Sequence, residues 1–238
     1  MCDQHAPTFS RRSLLAAAAV SPFAAATGVS AATEAAVDTP APNAVTPDQA
    51  LARLIEGNKR YAANTPANRD LSAGRAARAA AQYPIACVVG CADARVAPEL
   101  LFDQGPGDLF IVRVAGNFVN TDGLASLEYG VKVLGARLIV VLGHSNCGAV
   151  KATIDVLKKN ITLPGHLPVL IDAIRPAVDL AEKARASDPL AEAIAQNVRY
   201  NVRRLEQAGP IISDAVARGD VKVVGGFYDI ANGAVAFL

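Results

Sequence analysis

The chain has 238 residues, 52% of them hydrophobic, with 18 glycines, enough for one sizeable α/β core. A formal net charge of +1 at pH 7, no Trp and an aromatic content of 5% leave neither a basic face nor stacking platforms, which argues against nucleic acid as a partner.

The first predicted segment is a targeting signal. Ser10-Arg11-Arg12-Ser13-Leu14-Leu15 is a twin-arginine pattern, followed by an Ala-rich apolar stretch to about Ala26 and a small-residue site, Val29-Ser30-Ala31. A signal peptide over residues 1–31, cut near Ala31, and a periplasmic or exported mature protein are therefore expected. The apolar stretch is too short to span a bilayer comfortably, so no stable membrane anchor is expected. Cys2 and His5 leave with the signal; Cys87, Cys91, Cys147, His144 and His166 remain. Twin-arginine export carries folded proteins, which lets a metal occupy cysteine thiolates before they meet an oxidising compartment.

Residues 32–45 are rich in Ala, Pro and Thr without apolar period and read as a linker, leaving one domain over residues 46–238. Thr46, Pro47 and Gln49 predict the start of a helix running to Tyr61, with Leu51, Leu54, Ile55 and Asn58 at helical spacing. That apolar stripe needs a partner surface. A second helix is predicted over residues 71–82, a buried strand over 85–90, a helical turn over 98–102 and a strand over 109–114. Thr121 or Asp122 should cap a helix over 124–134, and a third apolar run, 138–143, should be another buried strand. Strand, helix, strand at this spacing predicts a parallel sheet with right-handed crossovers. Helices follow over 149–159, over 170–186 with an interruption near Pro176, from Asp188-Pro189 to 208, and over 211–218. A strand over 221–228 is turned at Asn232-Gly233 into residues 234–238, a hairpin signal.

Two motifs stand where buried strands end: Cys91-Ala92-Asp93-Ala94-Arg95 and His144-Ser145-Asn146-Cys147-Gly148. In an open parallel sheet the carboxyl ends of strands line the binding crevice, so the motifs can converge. Cys91, His144 and Cys147 are zinc-binding side-chain types. Two thiolates and a neutral imidazole neutralise Zn²⁺ and leave a fourth position for water or for Asp93, the pattern of a catalytic site. Each of the three alone reads as a buried thiol or a loop histidine; the constellation carries the signal. Asp93 is near enough to bind the metal or accept a proton from its water, and an ion pair with Arg95 would hold that carboxylate off the zinc and ionised.

These motifs resemble those of the β-class carbonic anhydrases. The resemblance spans roughly residues 46–238 and includes Phe102-Asp103-Gln104-Gly105, Arg113-Val114-Ala115-Gly116-Asn117 and Tyr228-Asp229. It implies an α/β single domain with a mostly parallel four-stranded sheet, an antiparallel fifth strand, flanking helices and an N-terminal helical arm. It also implies one Zn²⁺ per chain on Cys91, His144 and Cys147, an Asp93–Arg95 dyad, and reversible hydration of CO2 to bicarbonate and a proton by hydroxide generated on zinc. Dimers or tetramers are implied too, with the N-terminal helix wrapped over a partner subunit and Leu51, Leu54 and Ile55 covered there.

Gln104 matches a glutamine that open-site members place beside the metal, where it would steady a CO2 oxygen. Asp93 would bind zinc only in a closed state. The chain lacks the Trp of the subclass with a bicarbonate pocket, and has Ala94 where the family commonly has Ser. His166 is the one remaining histidine that could shuttle protons, and its Pro-Gly-His loop reads as ordinary surface. Hydrolysis of carbonyl sulfide or carbon disulfide would use the same zinc. A non-catalytic zinc-binding protein would have no need of Asp93 and Arg95.

Overall fold

The apolar runs that predict buried strands do form the centre of a sheet. In the computed structural model, which describes residues 41–238, β1 (Ala86–Gly90) and β3 (Leu138–His144) are buried at every position. Side chains covered on both faces are what a parallel sheet under helices requires. With β2 (Leu109–Arg113), β4 (Lys222–Tyr228) and β5 (Val235–Phe237), the order is β2-β1-β3-β4-β5; the first four run parallel and β5 pairs antiparallel with β4. The predicted α/β class and mixed sheet are observed. The chain leaves β1 for β2 on one side and returns to β3 on the other, so the crevice opens at the carboxyl ends of β1 and β3.

Helix α1 (Pro47–Ala62) starts at the predicted capping box: the Gln49 amide donates to Thr46 Oγ1 at 3.2 Å, and the Thr46 amide to Gln49 Oε1 at 2.8 Å. Part of its stripe is covered within the chain, while Ile55 stays half-buried. Leu54 is fully buried among Phe102, Leu101, Leu138 and Val140 of the same chain, with Leu51 packed beside it. Gly57 permits this approach, since a Cβ there would lie 1.8 Å from the Phe102 carbonyl oxygen. The predicted linker also ends earlier than Val45: Asn43 is buried and donates to the Pro84 and Leu134 carbonyls at 3.0 and 2.7 Å.

Helix α2 (Arg75–Ala80) is shorter than residues 71–82. Asp70 accepts from the Ser72 amide and hydroxyl, which holds that stretch in a turn, and no residue of α2 is buried to extend it. After α3 (Pro98–Leu101), helix α4 (Thr121–Lys132) is capped by Asn120, whose Oδ1 accepts from the Gly123 amide at 2.8 Å, and not by Thr121 or Asp122.

Helix α5 (Gly148–Lys159) follows β3. Helix α6 (Leu167–Ala184) begins three residues before the predicted start and runs through Pro176 without interruption. Ile174, Ala177 and Val178 are buried around that proline, and packing outweighs one lost backbone bond. Helices α7 (Pro189–Glu206) and α8 (Ile211–Ala217) complete the layers. In the β4–β5 connection Gly233 alone takes a left-handed conformation, at φ 79°. The predicted signal peptide and the first part of the predicted linker lie outside the described residues.

Candidate active site

Strand register brings the two motifs together. Gly90 pairs with Leu142 across β1 and β3, so Cys91, one residue past β1, stands level with the end of β3 where His144 lies. Asn146, at φ 55°, takes the left-handed turn that sends the chain from His144 to Cys147, and Cys147 caps α5. All three residues are buried, and the ligand atoms of Cys91, His144 and Cys147 lie within 4.8 Å of one another.

The donor set fits a divalent metal. His144 Nδ1 lies 3.0 Å from the Ser145 carbonyl oxygen, which can only accept, so the ring proton sits on Nδ1. Nε2 then offers a lone pair, and it is buried without a hydrogen-bond partner. Among the described residues, the other buried side-chain atoms left without one are both amide atoms of Asn117, for which the structure offers no explanation. Cys91 Sγ accepts from the Gly116 amide at 3.3 Å. Gly116 needs to be glycine, because φ is +88° and a Cβ would meet Ile174 Cδ1 at 2.5 Å. The hydrogen bond from Cys147 lowers the Cys91 thiol below its ordinary range. Cys147 moves up, because that same bond and burial hold its proton, against the amides of Val150 and Ala149 at the start of α5. A cation bound between the two sulfurs would favour the thiolate form of both.

The dyad forms without the hydroxyl that Ala94 lacks. Arg95 donates from Nε to Asp93 Oδ1 at 3.0 Å, from Nη2 to Oδ2 at 2.8 Å, and from its backbone amide to Oδ1 at 2.9 Å. These bonds, the Arg95 side chain foremost, hold the Asp93 carboxyl well below the usual carboxylate range. Asp93 Oδ2 lies 3.9 Å from His144 Nε2. Arg113 completes the segment by donating to the Cys91 carbonyl at 2.9 Å and the Asp93 carbonyl at 2.7 Å. In the sequence Arg113 stands out only as part of the Arg113–Asn117 motif; its alignment with Gly90 in the β1–β2 register is what aims it here.

Gln104 is not brought to this cluster within the chain. Its Nε2 donates to the Phe102 and Asp103 carbonyls at 2.6 and 3.1 Å, and its Oε1 accepts from Arg53 Nε at 2.8 Å. Arg53 also pairs with Asp108, which immediately precedes β2. Gln104 therefore faces the end where the strands begin. His166 is exposed ahead of α6. A cavity of about 320 Å³ between α4 and α8, lined by Arg137, Asp214 and Arg218, contains none of the site residues.

The family model described as carbonic anhydrase matches residues 86–235. The solved structure of a Coccomyxa β-carbonic anhydrase in complex with acetazolamide superposes with a TM-score of 0.62 at 32% identity, covering 79% of this chain and 86% of that one. This chain belongs to the β-class carbonic anhydrase family. A carbonic anhydrase of Mycolicibacterium smegmatis is 40% identical over 190 residues, 79% of this chain and 92% of that protein. Among solved structures, a tetrameric β-carbonic anhydrase of Sordaria macrospora superposes with a TM-score of 0.62 at 25% identity, over 69% of this chain and 86% of that one. β-Carbonic anhydrases use zinc, and Cys91, His144 and Cys147 form the group that can hold it here.

Proposed function

We propose that the protein is a zinc enzyme catalysing the reversible hydration of CO2 to bicarbonate and a proton. The observation that carries this reading is the unpartnered His144 Nε2, grouped with two cysteine sulfurs and 3.9 Å from an oxygen of an ionised Asp93. Zinc bound there supplies the Lewis acidity that makes water lose a proton near neutral pH. Cys91 and Cys147 would hold the metal as thiolates, and His144 would hold it through Nε2.

Asp93 accepts a hydrogen bond from the reacting water and sets its orientation; Arg95 keeps that carboxylate ionised and fixed. Both Asp93 oxygens are engaged by Arg95, and this supports an open resting site over one closed by Asp93. Stopped-flow CO2 hydration, with zinc measured on the same sample before and after chelation, tests the reading. Turnover tracking about one zinc per chain is expected. Zinc-loaded protein without turnover up to about pH 9 would overturn it.

Self-association as a dimer or tetramer is part of the proposal. It is supported by α2, which buries nothing within the chain, by Leu71 and Leu100, which are 54% and 67% exposed, and by the tetrameric relative. Sedimentation as a monomer at every concentration would contradict it. Export rests on the twin-arginine pattern at Arg11 and Arg12. Fractionation of cells making the full chain should find mature protein outside the cytoplasm, and find it retained when both arginines are changed to lysine.

A further inference from the structure

We propose that Ser145 and Asp229 are positioning residues for His144. The β4–β5 connection holds Ser145 by its amide and hydroxyl, and the Ser145 carbonyl then holds the His144 proton on Nδ1, leaving Nε2 to face the metal. The inference rests on the zinc site proposed above and extends it to residues that do not touch the metal.

His144 Nδ1 donates to the carbonyl of the very next residue at 3.0 Å. The contact depends on where Ser145, which carries that carbonyl, is held, and a free loop leaves its place unfixed. Here three hydrogen bonds hold the residue. The Ser145 amide donates to the Tyr228 carbonyl at 2.8 Å, extending the β3–β4 ladder one residue past the His144–Tyr228 pair. The Ile230 amide donates to Ser145 Oγ at 3.0 Å, and Ser145 Oγ donates to Asp229 Oδ1 at 3.4 Å. The serine is held through its backbone and its hydroxyl at once.

The connection that grips Ser145 is itself closed. Asp229 Oδ1 also accepts from the Ala231 amide at 3.0 Å; the Asp229 amide and carbonyl pair with Ala234 and Gly233, each at 2.9 Å. Asn58 of α1 clamps the far side, donating to the Gly233 carbonyl at 2.9 Å and accepting from the Val235 amide at 2.8 Å. A third bond, Asn58 Nδ2 to the Leu101 carbonyl at 3.0 Å, anchors the clamp to α3, and Asn58 is only 6% exposed. A continuous set of hydrogen bonds thus runs from the first helix to the metal-ligating imidazole. Partners that orient a ligating histidine change metal affinity when removed.

The test uses the full-length zinc protein and reads zinc affinity by chelator competition, the ligand-field spectrum of the cobalt-substituted form, and the His144 ring-nitrogen signals by ¹⁵N NMR. Ser145→Ala and Asp229→Ala should each bind zinc about 10–100-fold more weakly, with altered cobalt spectra and His144 signals. Ser145→Thr and Asp229→Asn keep the hydroxyl and the Oδ1 acceptor and should return these readouts toward wild type. Alanine variants that bind zinc as tightly as wild type with unchanged spectra would overturn the proposal. So would Asp229→Asn behaving like Asp229→Ala, because charge rather than the hydrogen bond would then be acting. If Ser145→Ala does not fold by circular dichroism, Asp229→Ala, in the surface connection, carries the test. Wild-type protein that binds no zinc would instead overturn the underlying metal site.

Discussion

At the end of the sheet where β1 and β2 begin, Arg53 joins Asp108 and Gln104, and Arg60 and Arg69 close on Asp103, which also accepts from the Ala67 amide. At the end where β1 and β3 stop, Arg95 joins Asp93 with equally good geometry. The first corner is saturated: Gln104 has partners on both amide atoms, and the Asp103 side chain is 5% exposed. The second leaves a buried imidazole nitrogen without a partner beside two sulfurs. Guanidinium–carboxylate pairs form in both corners, but only the second stands beside a group that can hold a metal. The difference lies in which polar atoms are left unpaired.

Substitutions should separate the two corners. Cys147→Ala removes a direct ligand, so zinc affinity should fall by more than the ~100-fold expected for an orienting partner, and activity should drop to that of chelated protein. Retention of zinc through dialysis against a chelator would break the comparison. Asp93→Asn should keep zinc and lose about 100-fold in kcat; steady-state kinetics with zinc measured in parallel checks both halves.

The pH profile sharpens the chemical side. Two thiolates give the metal more negative charge than imidazoles would, which weakens its acidification of water, so the rate should rise several-fold from about pH 6.5 to 9. A flat profile would contradict this donor set.

Asp103→Ala tests the structural corner and should cost about 2–3 kcal/mol of unfolding free energy, below a fully buried pair because both arginines are part-exposed. Zinc content should not change. Burial alone would raise the Asp103 carboxyl, but the Arg60, Ala67 and Arg69 donors outweigh it and the net shift is downward. A carboxyl lowered in the folded state adds stability that is present above the unfolded value, about 3.9, and is lost as pH falls through the folded one. Acid denaturation below about pH 4 should therefore flatten in Asp103→Ala relative to wild type. The smallest effect is expected at Cys87, a buried thiol pushed up to about 12 by desolvation and packed against Gly130. Cys87→Ala should cost about 1 kcal/mol by denaturant titration and leave zinc binding intact.

Where a local pattern has a local cause, the sequence was legible. The Thr46 capping box, the apolar runs of the two fully buried strands and the ligand motifs at their ends depend on residues within a few positions of one another. The dyad was legible too, because Asp93 and Arg95 are two residues apart. Legibility failed where a distant surface decided the outcome. Pro176 predicts a break, yet α6 continues because its flanks pack into the core. Thr121 and Asp122 look as good a cap as Asn120 until the chain direction out of β2 is known.

The sequence by itself determined which groups are available: two cysteines and one histidine to hold zinc, a paired Asp93 and Arg95, and a run of strands and helices of α/β type. Tertiary structure alone decided which of those groups meet. It set Cys91 level with the end of β3, one position from His144, through the β1–β3 register, carried Gln104 to the opposite end of the strands, and gave Leu54 a surface within its own chain. It also brought Asp229 to Ser145 across 84 positions. Hydrophobic period and motif spacing report what a residue is next to along the chain, whereas register and crossover report what it is next to in space, and those follow from the packing of the whole sheet.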